Sequence, residues 1–301
     1  MPVQALFDRA LLGQRRRRAR ALGPATFLVD RVAEDMAERL STVRRTFEVA
    51  VDLGTPSDAV RHAILGAGVI GRIVAAVPET GSPRDDRAPV IVADEERVPF
   101  RDASLDLVVS GLALQFVNDL PGALVQIRRT LKPDGLFLAA LAGGDTLTEL
   151  RQAFAAAEAE VEGGASPRVA PFADVRTMGA LLQRAGFALP VTDVDHVGVR
   201  YESPLALMHD LRRMGATNML SERRRSALRR KTLARLLQIY SDRFADSDGR
   251  VRASFDIIWL SGWAPHESQQ QPLQPGSARM RLADALGTSE LSAGEKPNGD
   301  Q

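Results

Sequence analysis

The stretch Phe47-Glu48-Val49-Ala50-Val51-Asp52-Leu53-Gly54 is short, largely apolar and ended by a glycine. A run of this kind is typical of a strand that is buried on both faces of a parallel sheet. Strands that alternate with helices predict a doubly wound α/β sheet, in which ligands bind at the carboxyl ends of the strands. Helical patterns separate several of the further candidate strands, which lie at 72–77, 90–93, 105–110 and 136–142.

The chain on either side of these strands divides into a lead-in, a second half and a tail. We expect a basic amino-terminal helical lead-in over 1–45, a main domain over 46–264 and a flexible tail over 265–301, where Gln, Pro, Ser and Gly dominate. The segment 203–240 is expected to be a basic helical insertion. The remaining elements are helices at 26–45, 120–131, 145–162 and 172–186, and strands at 191–201 and 253–263.

Composition places the 301-residue chain among globular proteins, because 45% of its residues are hydrophobic and 26% are charged. It has no cysteine, which excludes disulfides and thiolate metal sites, and no apolar run long enough for a membrane helix. We therefore expect a cytoplasmic protein. The net charge is +1, but residues 15–20 and 212–235 are strongly basic, so contact with the inner face of a membrane is one hypothesis and a solvated helix surface is the other. Aromatic residues do not interleave with these runs, and nucleic acid is not an expected partner.

The loop Asp52-Leu53-Gly54-Thr55-Pro56-Ser57-Asp58 follows the first strand. A glycine at this position lets a backbone approach a ligand closely, which favours a nucleoside pocket. The alternative is an ordinary turn into a helix, capped by Ser57 or Asp58.

Two acidic residues, Asp94 and Glu95, follow the strand at 90–93. Carboxylates accept hydrogen bonds, and at this edge of a doubly wound sheet they would meet an adenine amino group or a ribose hydroxyl. The alternative is a solvated acidic turn.

Residues 66–71 spell Gly-Ala-Gly-Val-Ile-Gly, the pattern of a dinucleotide-binding loop. The stronger strand at 47–53 ends too close before it for a parallel crossover, so a helix-to-strand loop is the competing interpretation. Elsewhere the sequence has neither a serine-hydrolase elbow nor a phosphate-binding loop, and its four histidines match no metal-ligand spacing.

The order of five motifs resembles the class I methyltransferases that use S-adenosylmethionine. Further segments, at 143–154, 162–172 and 262–269 and the amino-terminal LFDRALL, resemble the branch that contains the mitochondrial complex I assembly factor assigned to arginine hydroxylation and its alphaproteobacterial relatives. The malonyl-carrier-protein methyltransferases of biotin synthesis are more distant. The five motifs are the strand ending in Asp52-Leu53-Gly54, the strand that follows it, ADEERVPF (93–100), LDLVVSGLALQFVNDLPGAL (105–124) and LKPDGLF (131–137).

This resemblance implies a mostly parallel seven-stranded sheet whose last strand, at 253–261, runs antiparallel. It implies S-adenosylmethionine as cofactor, with Asp94 and Glu95 near the adenine and Ser110 and Gly111 beneath the methionine end. The cofactor-binding residues expected on this basis are Asp52, Gly54, Thr55, Glu79, Asp94, Glu95, Ser110 and Gly111.

The sequence also departs from the family pattern at the cofactor loop. Pro56 and Asp58 replace the second and third glycines, and Val77 stands where the family carries an acid for the ribose, with Glu79 the nearest substitute. Further on, Gln115 and Phe116 stand where close relatives show His and Trp.

Three hypotheses follow. The first is a methyltransferase-family protein linked to respiratory complex I assembly, with a complex I subunit as partner. The second is a catalytically silent assembly factor of the same fold, and the third is a nicotinamide-dependent oxidoreductase that uses Gly66 to Gly71.

Overall fold

The computed structural model describes residues 5–78, 88–270, 280 and 282–289. It divides into two compact units, Met1–His266 and Glu267–Gln301. The strands of the first unit are β1 Phe47–Leu53, β2 Ile70–Val77, β3 Val90–Val92, β4 Leu105–Gly111, β5 Leu131–Gly143, β6 Ala188–Tyr201 and β7 Val251–Trp263. Its helices are α1 Arg9–Ala21, α2 Phe27–Thr42, α3 Ala59–Gly66, α4 Leu120–Thr130, α5 Thr148–Glu162, α6 Val175–Arg184, α7 Pro204–Arg213 and α8 Arg230–Phe244, with a 3₁₀ turn at Leu114–Phe116. In the second unit the structure describes α9, Leu282–Leu286.

The seven strands form one sheet in the order β3-β2-β1-β4-β5-β7-β6. Strands β1 to β5 pair in parallel, and β7 pairs antiparallel with both β5 and β6. This arrangement confirms the predicted doubly wound, mostly parallel α/β fold and its antiparallel last strand. Because β1 and β4 are neighbours, the chain crosses to opposite sides at their carboxyl ends and leaves a crevice there.

Apolar side chains cover both faces of the sheet. Val32, Met36 and Leu40 of α2 and Ile64 of α3 pack with Leu107 and Trp259 on one face. The spacing of the three α2 residues is that of one helical face, as the sequence pattern predicts.

On the other face, Leu124 and Ile127 of α4 and Leu182 of α6 pack against Phe137. A third cluster joins α5, α7 and α8 into a helical cap, with Leu150, Leu207, Leu236 and Tyr240 among its members.

The segment 203–240, where we expect a helical insertion, is helical in two parts. It is two helices, α7 and α8, separated by a non-helical segment at 214–229. Gly215, the second residue of this segment, has φ +70°, and a Cβ there would lie 3.2 Å from the Cα of Arg16. The left-handed backbone at Gly215 ends the helix, and the contact with Arg16 leaves no room there for a side chain.

Candidate functional site

Buried polar groups gather where β1 and β4 end side by side. The Thr55 hydroxyl donates to Oδ1 of Asp52 and accepts the N–H of Gly111 at 2.9 Å. The Ser110 hydroxyl donates to the carbonyl of Leu53 at 2.7 Å. These bonds fasten the loop after β1 to the end of β4. Thr55, Ser110 and Gly111 therefore position the loop through bonds within the protein.

Asp52 forms a buried ion pair with Arg61 of α3. Nη1 of Arg61 donates to Oδ2 of Asp52 at 2.7 Å, and the two residues are 3% and 1% exposed. Burial raises the pKa of Asp52, while the positive charge of Arg61 acts in the opposite direction. Both carboxylate oxygens are thus engaged inside the protein, and the sequence motif did not reveal Arg61 as the partner.

Gly54 brings the end of β1 against the acid that follows β3. Its φ is +74°, and a Cβ would lie 2.4 Å from Oε1 of Glu95. Its N–H donates to the carbonyl of Ala76 at 2.8 Å, which holds the turn in place. Only glycine combines this dihedral with this close approach, so two of the predicted motifs meet at Gly54.

Glu95 and Asp94 differ in burial. The Asp94 side chain is half exposed, whereas that of Glu95 is fully buried. Nη2 of Arg9 donates to Oδ1 of Asp94 at 2.8 Å and also to Oε2 of Glu95. Oε1 of Glu95 lies 3.5 Å from Nη1 of Arg16 and has no hydrogen-bond partner among the described residues. The alternative of a solvated turn is therefore wrong for Glu95.

Both cations that face Glu95 come from α1. Arg16 is 7% exposed, whereas Arg17 and Arg18 lie on the solvent side. The interpretation of 15–20 as one solvated surface is therefore wrong at Arg16. The sequence contains a sign of this arrangement. Arg9 and Arg16 are seven residues apart, and two helical turns place them on one face of α1.

The start of α1 is anchored to the neighbouring segments. The Asp8 carboxylate accepts the N–H of Leu11 at 2.9 Å and so caps the helix, while the Asp8 N–H donates to the carbonyl of Met219. The Phe7 ring packs edge-on against Phe116 with centroids 5.8 Å apart. These contacts fix α1 across the carboxyl edge of the sheet.

A cavity of about 710 Å³ lies between this edge and the helical cap. Pro56, Ser57 and Asp58 of the β1 loop border it, together with Leu112, Gln115 and Phe116 after β4. The volume is in the range of small-molecule sites. Beside Gly54 a second cavity measures about 10 Å³ and is bordered by Arg16 and Arg20, which leaves room for a single water molecule.

The structure shows the surroundings of Val77 and Asp58, two of the positions that depart from the family pattern. Val77 is buried at the end of β2, and Glu79 lies outside the described residues. Asp58 occupies the N-cap position of α3 without a side-chain cap bond, while Ser57 Oγ accepts the N–H of Ala59 at 3.3 Å.

Residues 66–71 run from helix to strand. Gly66 ends α3, Gly68 turns with φ +70°, and Gly71 lies within β2, where a Cβ would meet the Glu48 carbonyl at 2.9 Å. A dinucleotide fingerprint requires the reverse order of strand, turn and helix. The nicotinamide hypothesis therefore lacks its structural context.

Two further features were searched for in 5–78, 88–270, 280 and 282–289. Within these ranges no three His, Asp or Glu side chains converge as a set of metal ligands. None of the helices described there combines the length and the apolar character that a membrane crossing requires.

Comparison with known proteins gives the family. Residues 70–139 match a family model described as a methyltransferase domain. Arginine-hydroxylase NDUFAF5 of Danio rerio is 37% identical over 96% of this chain and 92% of its own length. The chain belongs to the NDUFAF5 family. The resemblance inferred from the sequence is confirmed.

A second relative is similar over part of the chain, and one solved structure shares the fold. The malonyl-[acyl-carrier protein] O-methyltransferase of Laribacter hongkongensis is 40% identical over 63% of this chain and 62% of its own length. The structure of the YcgJ protein of Bacillus subtilis shows 13% identity and a TM-score of 0.51, and the match covers 77% of this chain and 99% of YcgJ. At that identity the structural likeness supports the fold alone.

S-adenosylmethionine is the cofactor of this methyltransferase superfamily, and the crevice fits it unevenly. The large cavity offers space beside Pro56 to Asp58 and beside Leu112, the residue that follows Ser110 and Gly111, beneath which the resemblance places the methionine end. Beside Gly54 the side chains of Arg16 and Arg20 leave only about 10 Å³, while Glu95 Oε1 is a buried acceptor without a hydrogen bond. An adenosine donor would satisfy that oxygen once Arg16 moves aside.

Proposed function

We propose that this protein is an S-adenosylmethionine-dependent methyltransferase that binds its acceptor in the large cavity. The observation that carries the proposal is the continuity of the cavity from the loop Pro56–Asp58 to the apolar cap residues Leu150 and Leu211. A cofactor and an acceptor would share one cavity. Bound S-adenosylmethionine supplies an activated methyl group, and the protein holds the acceptor close to it and excludes water.

The residues of the crevice have distinct tasks in this proposal. Asp52, Thr55 and Arg61 keep the β1 loop in shape through their buried bonds. Gly54 permits close approach of a nucleoside, and Asp94 and Glu95 accept its hydrogen bonds. Catalysis then rests on proximity and orientation, because methyl transfer from a sulfonium centre needs little other assistance when the acceptor is already nucleophilic.

Calorimetric titration with S-adenosylmethionine and S-adenosylhomocysteine tests this proposal, with NADH as the comparison ligand. Micromolar binding of the first two should stabilise the protein by about 2.7 kcal/mol at a hundredfold excess of ligand over Kd. Asp94→Ala should weaken that binding about tenfold, a change of about 1.4 kcal/mol. Asp102→Ala removes an exposed carboxylate paired with Arg129 and should leave the affinity unchanged. Absence of binding by the folded wild-type protein at millimolar ligand would refute the proposal.

A second candidate is a partner-binding assembly factor without catalysis. Pro56 removes a backbone N–H from the cofactor loop, and Arg16 fills the space beside Gly54, both of which favour it. The family relationship makes a subunit of respiratory complex I the partner to test, and the basic segments 15–20 and 212–235 the surface for a subunit at the inner face of a membrane. Substitutions throughout the crevice that leave complex I assembly intact in cells would favour this candidate over the enzyme.

Because relatives are named arginine-hydroxylase, hydroxylation of a partner subunit must also be tested. Mass spectrometry of the partner subunit from cells with and without this protein distinguishes a gained methyl group from a gained oxygen atom. A methyl group would support the proposed transferase activity, and an oxygen atom would contradict it.

A further inference from the structure

Two leucines that line the large cavity have a backbone conformation that leucine rarely adopts. Leu112 has φ +51° and Leu147 has φ +57°, both in the left-handed region. A bulky side chain clashes with its own backbone there, so glycine, asparagine and aspartate are the usual occupants. The chain does place glycine at other positive φ values, for example at Gly54 and Gly144. A leucine at such a position indicates that its side chain has a task of its own.

Hydrogen bonds hold both unusual conformations in place. The Leu112 N–H donates to the carbonyl of Ala140 at 2.7 Å, and the Leu112 carbonyl accepts Nε2 of Gln115 at 2.8 Å. The Leu147 N–H donates to the carbonyl of Ser254 at 2.7 Å. The surrounding sheet therefore fixes the backbone of each leucine and, with it, the place where its side chain starts.

The two leucines lie at the carboxyl edge of the sheet, after neighbouring strands. Leu112 directly follows Gly111, the last residue of β4, while Leu147 comes after β5 and directly before α5. Both pack with the apolar cluster of the helical cap. In the proposed transferase the methionine end of the cofactor lies above Gly111. Leu112 therefore adjoins the place where the methyl group would be transferred.

We propose that Leu112 and Leu147 are specificity-determining residues, which form the apolar wall against which the acceptor packs beside the methyl donor. This inference rests on the proposed function and adds that the acceptor atoms next to the nucleophile are apolar. Leucine side chains at this place exclude water from the space beside the methionine end. Glycine or asparagine would suit the backbone better and would lose this contact, which explains why the strain is present.

Leu112→Asn separates the side chain from the backbone. Asparagine is close to leucine in size and accepts a positive φ, but it places an amide where the proposal requires an apolar wall. Binding of the neutral fluorescent probe N-phenyl-1-naphthylamine to the full-length protein should weaken about tenfold in Leu112→Asn and in Leu147→Asn. Leu112→Met keeps an apolar side chain and should bind the probe within about threefold of the wild-type affinity.

Leu189→Asn is the matched control. Leu189 has φ +48°, but it lies on β6, is 51% exposed and is not among the described residues that border the cavity. The same substitution relieves the same backbone strain there, so it should raise the midpoint of thermal unfolding and leave probe binding unchanged. Equal weakening in Leu112→Asn and Leu189→Asn, or no weakening in Leu112→Asn, would overturn the proposal, as would a wild-type protein that does not bind the probe. Leu112 is only half-buried, so its variant decides the test if Leu147→Asn does not fold.

Two further measurements separate the acceptor wall from the cofactor site. Leu112→Asn should leave the affinity for S-adenosylhomocysteine within about threefold, while the methylated fraction of the partner subunit, measured by mass spectrometry, should fall about tenfold. An unchanged methylated fraction, or an equal loss of S-adenosylhomocysteine binding, would refute the assignment of Leu112 to the acceptor. If the wild-type protein does not bind S-adenosylhomocysteine, the proposed transferase function fails. In that case the probe measurement still confirms or overturns the apolar wall by itself.

Discussion

Two buried carboxylates, Asp52 and Glu95, contact the same glycine loop and are neutralised in different ways. Asp52 pairs with Arg61, nine residues further along the chain, at 2.7 Å. Glu95 pairs with Arg9 and Arg16 of α1, which are about eighty residues away in sequence. The first pair belongs to the sheet and its crossover helix, and the second joins the sheet to a helix that lies across its edge.

The loop after β1 is held by the sheet and α3 alone, whereas the ion pairs of Glu95 depend on the docking of α1. The loop after β1 keeps its shape through bonds that form as soon as β1, α3 and β4 are in place. The neutralisation of Glu95, in contrast, requires α1 to be docked. We therefore expect the two carboxylates to respond differently to the same substitution.

The largest effect should come from Asp52→Asn. It leaves Arg61 as an uncompensated buried cation, and breaking a buried pair in this way costs about 3–5 kcal/mol. Urea unfolding should show that loss in the free energy of unfolding. Asp58→Asn, at a half-exposed carboxylate of the same loop, is the control and should cost less than about 1 kcal/mol. If the Asp52 variant were as stable as the Asp58 variant, the buried Asp52–Arg61 pair would contribute no more than the exposed Asp58–His62 pair, and the prediction would be wrong.

Glu95→Gln should have a smaller and more local effect. It weakens charged hydrogen bonds worth about 1.5–3 kcal/mol, and the loss falls on the docking of α1. Hydrogen exchange of the amides in 9–21 should accelerate, while that of β1 and β4 should not. Asp94→Asn changes a half-exposed partner of Arg9 and should leave the exchange of α1 nearly as it is. Uniform acceleration across the sheet would show that Glu95 is as integral to the core as Asp52.

Gly54→Ala tests the contact between the two regions. The positive φ alone costs an alanine about 1–2 kcal/mol, and its Cβ would also meet Oε1 of Glu95. Gly68→Ala provides the matched control, because Gly68 has φ +70° and open space around the new Cβ. The difference between the two variants in free energy of unfolding measures the contact with Glu95, and truncation in Glu95→Ala should abolish that difference. Equal losses in both glycine variants would mean that Glu95 moves aside without cost.

The strands were predictable because their apolar runs are local. The patterns at 47–53 and 105–110 predicted β1 and β4, and with them the position of the crevice. The partners of the acids were not predictable, because pairing Glu95 with Arg16 requires knowing where α1 docks. The end of α7 within 203–240 was not predictable for a similar reason. In the structure Gly215 has φ +70° and lies against Arg16, a contact that the local sequence pattern does not show.

A third carboxylate, Asp256 of β7, pairs with a histidine, His196, whose positive charge is lost as the pH rises. Oδ1 of Asp256 lies 2.6 Å from Nδ1 of His196 on β6. This hydrogen bond, with the negative charge of Asp256, raises the pKa of His196 above its ordinary value of about 6.5. Because the folded protein binds the proton more tightly, the contribution to stability is complete below that ordinary value. It is lost as the pH rises through the raised pKa of the folded state.

The effect of this pair on stability should be smaller than those of Asp52→Asn, Glu95→Gln and Gly54→Ala. The reason is that the His196 side chain is 73% exposed and its charge is screened by solvent. The ring resonances of His196, followed by NMR, should titrate at a higher pH in the folded protein than in the protein unfolded by urea. His196→Gln should then flatten the dependence of stability on pH in the interval between those two values, while leaving the pairs of Asp52 and Glu95 intact. Identical titration in the folded and unfolded states would show that Asp256 does not hold the proton on His196. In that case the exposed Asp256–His196 pair would contribute nothing to stability, in contrast to the buried pairs of Asp52 and Glu95.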